Sequence, residues 1–188
     1  MRIALFGGTF DPIHSAHLEI AREAMRQCAL DRVWFVPASR PPHKSGGTSA
    51  PYEDRYRMVE LACAGEPMFQ ASRIEEGEET SYSIGTIERV RQSLGSQDEL
   101  YFLIGADAFA DIRTWRRWRE VVASVEFIVV SRPGGRYEVP DGARVHALGG
   151  VSLPVSSSEI RRRLAEGDDS VELPPAVLSY IREHRLYR

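Results

Sequence analysis

Short apolar runs alternate along the chain with longer segments in which apolar residues recur at helical spacing. The apolar runs have the length of buried strands, and they cover residues 2–6, 31–36, 69–74, 100–104, 127–130 and 144–148. The helical spacing covers residues 15–28, 52–64, 83–94, 115–123, 156–165 and 175–184. This alternation predicts an α/β fold with a Rossmann-like open parallel sheet flanked by helices on both faces.

The ends of the predicted strands are where a binding site is expected. In open parallel sheets, ligands bind beyond the carboxyl ends of the strands, where the strand order reverses. The segments after Phe6, Val36 and Ile104, with nearby helix starts, are therefore the candidate places. No repeat or domain boundary is visible, so we expect one domain over residues 1–188.

Composition narrows the class of protein. A net charge of −3 provides no overall basic field for a nucleic-acid polymer. No apolar run approaches the roughly 20 residues of a membrane span, and Arg2 is followed by too few apolar residues for an export signal. Cys28 and Cys63 lie in predicted helices and are expected to be buried free thiols. We expect a soluble, cytoplasmic protein.

The segment after the first strand, residues 7–17, reads GGTFDPIHSAH. Its two glycines permit a tight turn and a close approach of ligand to backbone. His14 and His17 are three residues apart and share one side of a helix start, which attracts anions. This predicts a phosphate cradle. Spacing alone also allows a simple turn, two surface histidines, or half of a zinc site that lacks its third ligand.

A second candidate segment, residues 156–161, reads SSSEIR near the C-terminus. Ser156 and Glu159 have the spacing of a capping box, which by itself indicates only a helix start. Hydroxyls at such a start, with Arg161 one turn inside, also suit phosphate groups. The neighbouring arginines at 162 and 163 are equally consistent with a solvated helix face.

Both segments resemble motifs of the nucleotidylyltransferase superfamily. Residues 7–17 resemble its G-G-[ST]-F-D-P-x-H-x-G-H signature, with Ala16 in place of the usual glycine. Residues 156–161 resemble its S-[ST]-[ST]-x-[IL]-R motif. Two motifs in this order, about 140 residues apart, indicate membership far more strongly than either alone. The resemblance implies a fold of the nucleotidylyltransferase type, ATP as a substrate, and Mg²⁺ held mainly by the ATP phosphates.

Three further segments resemble bacterial nicotinate-nucleotide adenylyltransferases. Residues 37–44, PASRPPHK, resemble that family's P-x-x-x-P-P-H-K segment, although a polar surface loop is the alternative. Residues 80–86, TSYSIGT, resemble its S-Y-T-x-x-T segment, which holds the nicotinate carboxylate at a helix start. There, Ser83 and Gly85 replace the usual threonine and aspartate, and simple helix capping is the alternative.

The third such segment, residues 105–115, resembles the family's G-x-D…W pattern. It implies that Asp107 lies near the ATP ribose or the metal and that Trp115 stacks on the pyridine ring. A lone tryptophan is more often a core residue. Arg116 stands where the family often has an aromatic residue.

The resemblance assigns residues to three roles and two substrates, ATP and nicotinate mononucleotide. The catalytic residues implied are His14, His17, Lys44 and Arg161. The ATP-binding residues implied are Gly7, Gly8, Thr9, Phe10, His14, His17, Gly105, Asp107, Ser156, Ser157, Ser158 and Arg161. The nicotinate mononucleotide-binding residues implied are Gly8, Thr9, His43, Lys44, Tyr82, Ser83, Thr86 and Trp115. No metal-ligating residue, nucleic-acid polymer or membrane partner is expected, and homo-oligomerisation is left open.

Other functions remain as alternatives at this stage. Within the superfamily, the acceptor of AMP could be nicotinamide mononucleotide or phosphopantetheine. Outside catalysis, the same scaffold could serve as a nucleotide-sensing module, because a fold does not determine a function. Retention of His14, His17 and Arg161 favours an enzyme.

Overall fold

Parallel strands form one continuous sheet in this computed structural model, which describes residues 1–41, 47–78, 80–131, 136–151 and 154–188. The strands within these ranges are β1 (Arg2–Gly8), β2 (Arg32–Pro37), β3 (Phe69–Ala71), β4 (Glu99–Gly105), β5 (Glu126–Val130) and β6 (Arg144–Leu148). The α-helices are α1 (Ser15–Cys28), α2 (Tyr52–Cys63), α3 (Ser83–Ser93), α4 (Ala106–Ala110), α5 (Trp118–Ser124), α6 (Ser157–Ala165) and α7 (Pro175–Glu183).

The strand order is β3-β2-β1-β4-β5-β6, and each neighbouring pair is parallel. From β1 the chain adds β2 and β3 on one side. It then returns to form β4 on the other side of β1 and continues outward through β5 and β6. This reversal places a crevice beyond the carboxyl ends of β1 and β4. The predicted Rossmann-like parallel sheet is confirmed.

Helices cover both faces of the sheet because successive strand residues point to opposite sides. Ala4 and Phe6 of β1 belong to a core cluster that includes residues of α1, α2, α6 and α7. Ile3 and Leu5 belong to a second cluster, on the other face, with residues of α3, α4 and α5. The predicted helices on both faces are therefore confirmed.

Several element boundaries differ from the predicted ones. β1 extends to Gly8 because the glycine pair still aligns with β2. β3 stops at Ala71, and a turn follows in which the Glu76 N–H donates to the Arg73 carbonyl. The helix predicted at 115–123 begins at Trp118, since Arg117 adopts a left-handed conformation (φ 53°). The short helix α4 directly after β4 was not predicted.

The two cysteines are free thiols, as predicted, but they differ in burial. Cys63 is buried and Cys28 is only half-buried. Burial raises the pKa of both thiols, that of Cys63 to about 12. No helix within the described ranges is both long and apolar enough to cross a bilayer.

Candidate active site

The first part of the site is the turn that follows β1. Phe10 has a positive φ of 50° and is only 2% exposed, so its ring packs inward. A Cβ atom on Gly8 would lie 2.9 Å from that ring, which is too close for any other residue to fit without a shift. Among the predicted ATP-binding residues of this turn, Phe10 therefore has only its backbone available to a ligand. Gly7 and Gly8 have no side chains, so a ligand can come close to their backbone.

His14 and His17 form a stacked pair at the start of α1. Their ring centroids are 3.7 Å apart and the planes are inclined by 26°. The backbone N–H of His14 donates to Nδ1 of His17 over 3.2 Å. A neutral imidazole has one N–H, so this bond places the proton of His17 on Nε2. The pair lies between the buried Phe10 ring, which packs edge-on against His17, and the crevice.

The electrostatics of the pair favour neutral rings. Burial lowers the pKa of His14 to about 4. Burial, and then repulsion from His14, lowers the pKa of His17 well below its usual value. At neutral pH both rings are therefore hydrogen-bond donors without charge. The first N–H of α1, from Ser15, already donates to the Glu172 carbonyl, and that of His17 donates to the His14 carbonyl.

The start of α6 joins the turn after β1. The Ser157 hydroxyl donates to the Pro12 carbonyl over 3.0 Å. Arg161 donates from Nη1 to the Asp11 carbonyl over 2.7 Å, a contact between residues 150 positions apart. The two predicted phosphate-binding segments therefore meet in space. The capping prediction is also confirmed, because Ser156 Oγ accepts from the Glu159 N–H.

The three consecutive arginines of α6 separate into two groups. Arg162 is exposed and pairs with Glu159 and Glu166. Arg163 pairs with Asp168. Arg162 is therefore on the solvated face that the sequence left open, whereas the Arg163 side chain is only 23% exposed. Arg161 is half-buried and directed at the turn after β1, and its Nη2 donates to Ser158 Oγ over 3.3 Å.

The predicted nicotinate side lies at the start of α3. Tyr82 immediately precedes the helix and Ser83 is its first residue. The Arg116 guanidinium lies 4.9 Å from the centre of the Tyr82 ring. An open depression of about 200 Å³ is lined here by Tyr82, Gly85 and Arg116, among others. Two glutamates also line this depression, and each is paired with an arginine. Arg116 and the helix N-terminus add positive charge to the same space, which suits a carboxylate.

Two hydroxyls near this helix start already have partners. Thr86 is 2% exposed and its hydroxyl donates to the buried Glu75 carboxylate. Ser81 is buried, and its backbone N–H and Oγ bond the main chain of Arg40, which follows β2. Thr86 was predicted to bind ligand, but the structure gives its hydroxyl a role in holding α3 in place.

The remaining predicted residues lie at the end of β4 and in the loop after β2. Gly105 ends β4, and Asp107 is exposed in the first turn of α4. Trp115 is half-buried and packs edge-on against Phe102, with ring centroids 5.9 Å apart. Trp115 therefore packs against the hydrophobic core. His43 and Lys44 lie outside the described residues.

Sequence reasoning missed one residue that organises the site. Arg55 of α2 is completely buried, and it donates to the carbonyls of Thr9, Ser39 and Ala50. A signal was present in the sequence. Residues 55, 58, 59 and 62 share the buried stripe of α2, and the other three are apolar. An arginine in that pattern requires buried polar partners.

The site as a whole is rich in donors. Imidazole N–H groups, hydroxyls, a guanidinium and backbone amides surround the crevice, and such groups bind phosphate oxygens. Among the described residues, no three or more His, Cys, Asp or Glu side chains are grouped to hold a metal ion. The arrangement suits a polyanionic ligand and any cation that the ligand itself carries.

Comparisons with known proteins show the family to which the chain belongs. The cytidylyltransferase-like family model matches residues 5–163. A protein of Solibacter usitatus, named probable nicotinate-nucleotide adenylyltransferase, is 60% identical over 187 residues and covers 100% of both chains. A Thermus thermophilus protein of the same name is 45% identical over 192 residues, again covering 100% of both.

Among solved structures, the nicotinic acid mononucleotide adenylyltransferase of Plasmodium falciparum, complexed with NaAD, has the same fold. The TM-score is 0.78 at 21% identity, over 99% of this chain and 97% of that one. The family model and the full-length relatives give the same assignment as the two joined motifs: the chain belongs to the nicotinate-nucleotide adenylyltransferase family of cytidylyltransferase-like proteins.

Proposed function

We propose that this protein transfers the AMP part of ATP to nicotinate mononucleotide, giving nicotinate adenine dinucleotide and pyrophosphate in NAD biosynthesis. The proposal for the chemistry rests on one observation: the start of α6 is hydrogen-bonded to the turn after β1. Arg161 bonds the Asp11 carbonyl there, in the turn that leads from β1 into the stacked His14–His17 pair. The names of the full-length relatives support the acceptor.

The reaction is an in-line displacement at phosphorus. An oxygen of the acceptor 5′-phosphate forms a bond to the α-phosphorus of ATP, and the bond to the pyrophosphate oxygen breaks. The nucleophile is already an anion near neutral pH, since a phosphate monoester has a second pKa near 6. The enzyme has to position two anions and stabilise the charge between them.

Different residues of the site would bond the phosphoryl oxygens, supply positive charge and hold pyrophosphate. His14 and His17, as neutral donors, would bond the phosphoryl oxygens without adding charge. Arg161 supplies the positive charge, and Lys44 is proposed to supply a second on the acceptor side. The backbone amides of residues 156–158, with the Ser156 and Ser158 hydroxyls, would hold the departing pyrophosphate, because the Ser157 hydroxyl already donates to Pro12.

Mg²⁺ fits this site as a companion of ATP. The described residues offer donors for anions and no grouped ligands for a cation, so we propose that the ATP phosphates and water hold the ion. When bound, it neutralises part of the phosphate charge.

The acceptor side favours an acid over an amide. The start of α3 and the Arg116 guanidinium face one depression, and both interact better with a carboxylate than with a neutral carboxamide. We therefore expect nicotinate mononucleotide to be used in preference to nicotinamide mononucleotide.

Pyrophosphate release from Mg²⁺-ATP tests this function, with the two mononucleotides supplied separately at equal concentration. We expect a strong preference for the acid. His17→Ala should retain the fold and lower turnover about 10²- to 10³-fold, the typical cost of one transition-state donor. His146→Ala is the matched control, because His146 is a half-exposed imidazole in β6 that pairs with Glu126.

The outcomes separate the parts of the proposal. Equal use of acid and amide would refute the carboxylate site at α3 while keeping the adenylyl transfer. Near-normal turnover in His17→Ala would refute the role of His17. Folded wild-type protein that releases no pyrophosphate with either mononucleotide, or with phosphopantetheine, would favour a nucleotide-sensing module.

A further inference from the structure

The C-terminal end of the chain contacts the turn after β1. Tyr187 is the last residue but one, and its hydroxyl donates to Oδ1 of Asp11 over 2.7 Å. The two residues are 176 positions apart. Burial and the adjacent Asp11 charge raise the pKa of Tyr187, so the phenol keeps its proton and remains a donor. Asp11 lies in the first of the two motifs by which the site was found, whereas Tyr187 lies in neither.

Asp11 is a buried carboxylate at the centre of the turn after β1. It is 1% exposed. Besides the Tyr187 hydroxyl, it accepts the backbone N–H groups of Ser49, over 2.7 Å, and of Ala50, over 3.0 Å. A carboxylate withdrawn from water needs such donors, because leaving one oxygen short of partners is costly. The contacts therefore fix residues 49–50 against the turn.

Arg55 bonds the same residue, Ala50, through its carbonyl. Its Nε donates to the Ala50 carbonyl over 3.2 Å, while Asp11 accepts the Ala50 N–H. Its Nη1 donates to the Thr9 carbonyl over 2.7 Å, and its Nη2 to the Ser39 carbonyl over 3.3 Å. One rigid guanidinium thus joins the loop after β1, the loop after β2 and the segment before α2.

These contacts connect the two substrate sides. Thr9 and Asp11 lead directly into the His14–His17 pair, which is proposed to hold ATP. Ser39 is followed by Arg40, whose main chain bonds Ser81 at the start of α3, the proposed acceptor side. A displacement of the Asp11 turn would therefore change the distance between the two substrates.

We propose that Tyr187, Asp11 and Arg55 form a positioning network that holds the two substrate-binding loops at the separation needed for in-line transfer. The inference rests on the proposed function. None of the three needs to touch the reacting atoms. Their effect is on geometry, and a small misplacement of reacting groups can lower a rate about 10²-fold.

Tyr187→Phe tests the network with the smallest change, since it removes one hydroxyl and keeps the ring. We expect kcat to fall about 10- to 100-fold, with a smaller change in the KM for ATP. In this variant the displaced loop would still offer its hydrogen-bond donors to bound substrate, so binding would change little. The transition state requires those donors to be aligned, so kcat would fall. Tyr180→Phe is the control, because its hydroxyl also donates to an aspartate, Asp54, over 2.8 Å, between α7 and α2.

The control separates positioning from stability. Both variants lose one tyrosine–aspartate hydrogen bond, so both should have a lower Tm, and Tyr187→Phe should lose more because Asp11 is buried. In assays well below either Tm, only Tyr187→Phe should lose kcat. Wild-type kcat in Tyr187→Phe would overturn the proposal. An equal loss of kcat in both variants would overturn it too, since that loss would follow from stability alone. An inactive wild type would instead refute the proposed function.

Arg55→Lys gives an independent check. A lysine keeps the positive charge, but its single ammonium cannot reproduce the planar fork that reaches three carbonyls. A folded Arg55→Lys protein, verified by circular dichroism, should lose kcat at least as strongly as Tyr187→Phe. Full kcat in that folded variant would contradict the network.

Discussion

His14 is 5% exposed, and this burial changes the chemistry that the residue can perform. Its pKa is lowered to about 4, so the ring is neutral in the range where the substrate phosphates are ionised. The sequence predicts that two histidines face one phosphate site, and the structure brings them together as a stacked pair. Sequence alone could not show that they are uncharged, because charge depends on burial by residues distant along the chain.

The lowered pKa of His14 predicts how stability depends on pH. In the unfolded chain this histidine takes up a proton near pH 6.5, but in the folded protein only near pH 4. Between these values the unfolded state binds more protons, so stability decreases as the pH falls from 6.5 towards 4. At pH 5 this costs roughly 2 kcal/mol.

Urea unfolding of wild type and His14→Gln at pH 7 and pH 5 measures this effect. Glutamine does not titrate, so the variant should lose less stability on acidification than wild type, by roughly 2 kcal/mol. Equal losses in the two proteins would show that His14 is not the group responsible.

At the scale of elements, the helix α6 shows why three adjacent arginines are not equivalent. Successive residues of a helix point about 100° apart, so only one of the three can face the turn after β1. Arg161 does so, while Arg162 pairs with Glu159 and Glu166 in solvent. The sequence could not distinguish a phosphate site from a solvated face here. In the structure, Arg161 faces the turn after β1 and Arg162 faces solvent.

This difference predicts the outcome of two neighbouring substitutions. Arg161→Ala removes the cation of the site and the bond to the Asp11 carbonyl, so turnover should fall by about 10²-fold or more. Arg162→Ala removes only exposed ion pairs, which contribute little, and should keep full turnover. Both are measured by pyrophosphate release at saturating ATP. If the two variants lose activity equally, the assignment of Arg161 to the site is wrong.

The elements themselves were predictable wherever the local pattern was strong. Apolar runs and helical periodicity located all six strands of the described chain and most helices, with boundaries shifted by a few residues. The largest difference lies at residues 105–118. There, a five-residue helix and the left-handed Arg117 interrupt the predicted pattern. Both depend on packing after β4, which no local periodicity encodes.

At the scale of the molecule, contacts between distant residues complete the site. Arg161 reaches Asp11 across 150 positions, and Tyr187 reaches it across 176. The family resemblance placed both motifs at one ATP site but did not predict the bond between Arg161 and Asp11. Nothing in the sequence indicated the second contact, because a tyrosine near a chain end carries no local signal of its partner. Arg55 was different, since an arginine on an apolar helix stripe was visible in the sequence.

The two core clusters share one sheet, which predicts that the described chain unfolds as a single cooperative unit. The chain provides a separate probe for each face. All three tryptophans pack against the cluster on the face of α3 to α5, whereas both cysteines belong to the opposite face. In Cys28→Ser protein, tryptophan fluorescence and the reactivity of Cys63 should therefore change at the same urea concentration.

Nicotinate adenine dinucleotide at about 100 times its Kd should raise the unfolding free energy by about 2.7 kcal/mol. Both probes should move together, because the proposed site draws residues from α1 and α6 on one face and α3 on the other. Two separate transitions, or a ligand that moves only one of them, would show that the faces unfold independently.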